Sequence, residues 1–124
     1  MNEEQKSEKI LEQYKNYFNT TTADVTTSIK GKRFFFLTDI VSGDIYKLEE
    51  FSTAEELERI ILQDLISRTH MAISNLNEEI QEELKNHSDL EFLVNVLPIM
   101  KDNFEIIRNS MIGIFSYIDN STEE

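Results

Sequence analysis

His70 and His87 are the two side chains of this 124-residue sequence best suited to proton transfer or metal ligation near neutral pH. His70 has Ile66 and Ser74 as its helical neighbours four residues away, and neither is a useful ligand. His87 follows Glu83 by four residues, with Asp89 and Glu91 close in sequence, which is the outline of a weak divalent-cation site. A structural metal site needs three or four convergent ligands, and the paired Glu-x-x-His motifs of dicarboxylate iron bundles are missing. The expectation is a surface histidine at a helix end, with no metal and no cofactor.

Other chemistries fare no better. The absence of Cys excludes thiol nucleophiles, disulfides and Cys-ligated zinc. There is no Gly-x-Ser-x-Gly motif, and three Gly in all leave no phosphate-cradling loop. The stretch from Asp39 to Asp44 lacks the ligand spacing and terminal Glu of a calcium loop. The 24 acids offer many pairings for general acid–base work, yet most lie in helical runs whose simplest role is solvation. No enzyme is expected.

Whatever these side chains do, their placement is set by a helix, a small sheet and two long helices. Ile10, Leu11, Tyr14, Tyr17 and Phe18 recur at helical spacing and predict an amphipathic helix over residues 3–18, with Asn19 to Thr22 as a linker. Residues 24–50 hold three β-branched and aromatic runs, Val25–Ile29, Arg33–Ile40 and Asp44–Leu48, separated by turns containing Gly31 and Gly43. They predict a three-stranded antiparallel meander. In the middle strand Phe35 and Leu37 point one way and Phe34, Phe36 and Ile40 the other, which predicts cover on both faces: the first helix on one, the later helices on the other.

A long helix is expected over residues 53–86, opened by a capping box of Ser52 with Glu55. Its seam runs Leu62, Ile66, Thr69, Ile73, Leu76, Ile80. A second box, Ser88 with Glu91, restarts helix over residues 89–118, where Leu90, Leu93, Leu97, Met100, Phe104, Ile107, Met111, Ile114 and Ile118 step by three and four without a miss. Pro98 falls inside this pattern and should kink the helix or divide it. Residues 111–118 would also suit a strand by composition; the unbroken heptad phase favours helix. The fold class is α+β: an N-terminal helix, a three-stranded antiparallel meander, and two long helices forming an antiparallel coiled hairpin ~45 Å long, in one domain of residues 1–124 with a polar tail at 119–124.

The charge is unevenly spread. Of a net −12, residues 49–91 carry −9, whereas residues 20–48 carry +1. So acidic a chain argues against direct nucleic-acid binding, which needs Lys and Arg for the phosphates. No stretch approaches the ~18 consecutive apolar residues of a membrane helix. The acidic, polar start from Met1 to Lys6 is unlike a signal peptide, so a cytoplasmic location is expected.

These features predict a small acidic, non-catalytic protein that binds and modulates another protein, as an inhibitor, immunity protein, adaptor or chaperone. Glu78, Glu79, Glu82 and Glu83, with Glu55 and Glu58, form the expected surface for a basic partner, and in its sharpest form that surface imitates the charge row of a nucleic acid. Beyond the seam, Phe92, Val96, Ile99, Ile106 and Phe115 make the last helix apolar over a wide arc and are expected to carry a homodimer or packing surface. The alternative is an assembly protein whose helices build an oligomer.

Overall fold

A computed structural model describes residues 1–87 and 89–122, with backbone alone for Asp89 and residues 120–122. The architecture is α+β: helix α1 (Glu3–Tyr14), strands β1 (Thr21–Thr27), β2 (Arg33–Asp39) and β3 (Ile45–Phe51), then helices α2 (Ala54–Asn86) and α3 (Asp89–Thr122), which pack against each other. The chain divides into two units, residues 1–65 and residues from Ile66 onward.

In the first unit, α1 opens on a reciprocal cap: Asn2 Oδ1 accepts from the Gln5 amide at 2.8 Å, and Gln5 Oε1 accepts from the Asn2 amide at 3.2 Å. Ser7, Leu11 and Tyr14 form its buried stripe. The α-helix stops at Tyr14, earlier than the expected residue 18, and one 3-10 turn over Lys15–Tyr17 follows. Asn19 then takes a left-handed conformation (φ 54°), which Asn tolerates better than most residues, and the chain reverses. The expected linker is corrected in consequence. Thr21 and Thr22 are already strand, because the β-branching that makes Thr a poor helix former makes it a good strand former.

The sheet has the order β1-β2-β3 with both pairs antiparallel. In register, Ala23, Leu37 and Lys47 share one face, as do Val25, Phe35 and Glu49. Phe35 and Leu37 are fully buried there. Phe18 lies against Phe35 with ring centroids 6.1 Å apart, and the Tyr14 hydroxyl donates to Glu58 at 3.0 Å. Leu57, Ile61 and Leu65 of α2 are fully buried, and Lys47 Nζ sits 3.2 Å from Asp64 Oδ1. Both helices therefore cover the same face. Among the described residues of this unit the other face lacks the expected full cover: Phe34 and Phe36 are half-buried, and Leu48, paired with Phe36, is 60% exposed. Apolar residues on both sides of a strand showed only that both sides could be covered.

The cap of α2 also shifts by one residue. Thr53, not Ser52, accepts from the Glu56 amide at 3.2 Å, and the Glu56 carboxylate accepts from the Ser52 amide at 2.8 Å. The Ala54 amide donates to Glu3 of α1 at 2.8 Å, so one helix caps another. The expected partner box at Ser88 lies outside the described residues, as do Glu123 and Glu124 of the expected tail. Residues 119–122 of that tail continue α3, since the sequence there has neither Gly nor Pro to stop a helix. Pro98 does not divide α3, and residues 111–118 are helical.

Two outcomes follow from this unit. Phe35→Ala, which opens a cavity at the centre of the sheet, should cost about 3–5 kcal/mol in a denaturant titration. In the β2–β3 turn, Asp39 Oδ1 accepts from the amides of Ser42 (3.0 Å) and Val41 (2.8 Å), and these bonds hold its carboxyl below its ordinary value of 3.8. A lowered pKa means that the ionised form is favoured by folding. The turn should therefore be tightest above about pH 4 and loosen as acid protonates Asp39. A carboxyl NMR titration should give a midpoint below 3.8, and Asp39→Ala should speed exchange of the Ser42 amide at neutral pH.

Candidate functional site

The second unit is built by the antiparallel packing of α2 and α3, and its level is fixed by named contacts. The Asn95 side chain donates to Glu83 at 3.2 Å near the turn, while Ile66, Thr69 and His70 share a groove of about 400 Å³ with Met111, Ile114 and Phe115 at the far end. Between these points the buried positions are small: Ala72 on α2, and Val96, Ser110 and Gly113 on α3. Small side chains let the two backbones approach, and that choice sets the phase of both helices.

This corrects the expected seam. Val96 is 3% exposed, and Phe92, Ile99 and Ile106 are half-buried, so four of the five residues expected on an oligomer surface line the hairpin interior; Phe115 alone of the five is exposed. The heptad stripe expected inside is largely outside. Leu90 (75%), Leu97 (60%) and Phe104 (50%) are open to solvent, as are Leu93, Met111, Phe115 and Ile118. At 100° per residue these seven fall within an arc of about 80°, roughly a third of a turn from the buried stripe. α3 thus has two apolar stripes side by side, and periodicity alone does not say which one meets α2. On α2, Ile66, Ile73 and Leu84 are likewise more than half exposed. The shared groove puts Ile66 on the same side as Met111 and Phe115, so the exposed stripes of α2 and α3 form one continuous apolar face.

The acids occupy the opposite side. Counting round α2 from Ala72, Glu78 and Glu82 lie on the flank away from Ile66 and Ile73, and Glu78, Glu79 and Glu82 are exposed. By the same count around α3, Glu91 and Asp102 fall on that acidic side, a contribution that inspection of α2 alone missed. Glu83 is different. Its Oε2 receives Asn95 Nδ2 at 3.2 Å and lies 3.2 Å from His87 Nε2, while His87 Nδ1 lies 3.2 Å from Glu91. Glu83 fastens the end of the hairpin. Glu55 and Glu58 belong to the first unit: Glu55 is exposed in the first turn of α2, and Glu58 is half-buried against the Tyr14 hydroxyl.

Among the described residues, no three His, Asp or Glu side chains converge as metal ligands. His70 lines the apolar groove, where the neighbouring side chains are Ile66, Thr69 and Phe115. Asp39, at the head of the loosely calcium-like segment, spends its carboxylate on its own turn. No described helix is long and apolar enough to cross a membrane.

The fold and its surface thus define an α+β protein in which a capped three-stranded sheet is followed by a two-faced helical hairpin. No family model, curated protein or solved structure is measurably similar to this chain.

One detail of the hairpin interior is open to measurement. Ser110 is 1% exposed and its hydroxyl has no hydrogen-bond partner among the described residues. An unsatisfied buried hydroxyl costs about 1–3 kcal/mol. Ser110→Ala, which keeps the close approach and removes the hydroxyl, should raise the melting temperature; a fall would show that the hydroxyl is satisfied after all.

Proposed function

We propose that this protein acts by binding another protein, without catalysis, and that the hairpin is its binding element. The observation that carries this reading is the segregation of the hairpin surface into an apolar face and an acidic one. A fold stabilised for its own sake gains nothing from leaving ten large apolar side chains in water on one side. The acidic side selects a partner with a basic surface, by steering the encounter and by rejecting acidic competitors. Inhibitor, immunity, adaptor and chaperone roles all fit this description, in a cytoplasmic setting.

In its sharpest form the acidic side imitates a nucleic-acid backbone. Exposed Glu78, Glu79 and Glu82 then supply the charges, spread over ~6 Å of helix axis, against one charge per ~1.7 Å of duplex DNA. Glu83, Glu55 and Glu58 count for less in this reading, because Glu83 and Glu58 have internal partners and Glu55 stands in the other unit.

The test is a triple reversal, Glu78→Lys, Glu79→Lys and Glu82→Lys, in pull-down from a native lysate at low and at high salt. A basic partner should be captured by the unaltered protein at low salt, released as salt rises, and lost from the triple variant. Capture that is indifferent to both salt and reversal would sink the charge-based reading.

A further inference from the structure

We propose that the apolar face of the hairpin is covered by the same face of a second copy of this chain, giving a four-helix dimer. Two properties of the face single out this occupant.

The first is its repeat. The strict three-four step from Leu90 to Ile118 is the pattern that side-by-side helices need to stay in contact over many turns. Six of its nine members, Leu90, Leu93, Leu97, Phe104, Met111 and Ile118, stay exposed, whereas the buried positions of α3 are Val96, Ser110 and Gly113. A face with this repeat is matched by helices carrying the same repeat, and another copy supplies α3 with its stripe and α2 with Ile66 and Ile73. The interface is then isologous and closes on itself, so it ends at two chains and does not grow into a filament.

The second is its area and charge. At about 150 Å² for a large apolar side chain, the exposed fractions of the ten residues on this face amount to on the order of 800 Å². That is the share each partner buries in an interface of standard size, ~800 Å². A chain of net charge −12 would ordinarily resist self-association. Here Glu78, Glu82 and Asp102 lie on the far side of each hairpin, and the charged residues nearest the outer edge of the α3 stripe by helical count are Arg108, Lys101 and Asp119, two positive and one negative. Self-repulsion is therefore moved away from the contact, and the acidic sides remain exposed outward, one on each copy.

Dimerisation through this face involves neither the acidic side nor its partner. Light scattering of the purified chain at tens of micromolar should give twice the chain mass of 14.6 kDa, with little change between low and high salt. Leu97→Glu and Phe104→Glu place a charge at positions already half open to water, so the fold survives; each should shift the mass to 14.6 kDa with helical circular dichroism retained. The triple Glu→Lys reversal of the acidic side should leave the dimer mass unchanged. A wild-type mass of 14.6 kDa would overturn the proposal and assign the face to a different protein. So would Leu97→Glu and Phe104→Glu variants that fold and remain dimeric, or a dimer that the triple reversal dissolves.

Discussion

Packing against one other helix buries one stripe, and α3 has two apolar ones. Everything distinctive about the second unit follows from that constraint. The stripe that meets α2 is the one that holds the buried positions of α3, Val96, Ser110 and Gly113, none of them large. Backbones that approach closely bring more atoms into dispersion contact along their length, and large side chains on the adjacent stripe have no room between them. Leu97 and Phe104 are displaced outward by geometry, not by any lack of hydrophobicity. The acids of α2 fill the other flank by the same logic, because the contact line leaves two sides and the apolar residues have taken one.

The first unit answers the same difficulty differently. It has a sheet with two apolar faces and two helices available to cover them, yet both helices lie over Phe35 and Leu37. Concentrating cover on one face gives a dry centre in which Tyr14, Phe18, Leu57 and Ile61 are fully enclosed. Two faces each covered by one short helix would leave neither dry. Of the polar links across this layer, Lys47 to Asp64 sits at its margin, where water still reaches the lysine, whereas the enclosed Tyr14 hydroxyl is satisfied by the half-buried Glu58.

Element identity and order were legible in the sequence because each element has its own period, and the meander has Gly at both turns where positive φ occurs. Boundaries shifted by a few residues wherever one residue type serves two structures, as Thr21 and Thr22 do. The phase of α3 was illegible for a different reason. A three-four repeat fixes a direction around the helix but says nothing about which neighbour lies there, and the small residues that decide it carry no signal in a hydrophobic pattern. The acidic surface was legible in part: Glu78, Glu79 and Glu82 are exposed as expected of solvated helix residues. The tie of Glu83 to Asn95 and His87 spans twelve residues of sequence on one side and needs the hairpin to exist before it can be seen.

The carboxylate of Glu3 at the start of α2 has a bearing on how the chain is made. That bond and the one from Tyr14 to Glu58 join residues 51 and 44 positions apart. Closing a loop of that size costs roughly 3–4 kcal/mol of chain entropy, more than two polar contacts return on their own. The docking of α1 is therefore carried by the burial of Leu11, Tyr14 and Phe18 against the sheet and α2. During synthesis α1 leaves the ribosome ahead of the sheet and α2, yet it stays without its seat until Leu65 has followed. The segment made early in this unit thus depends for its place on the segments made after it.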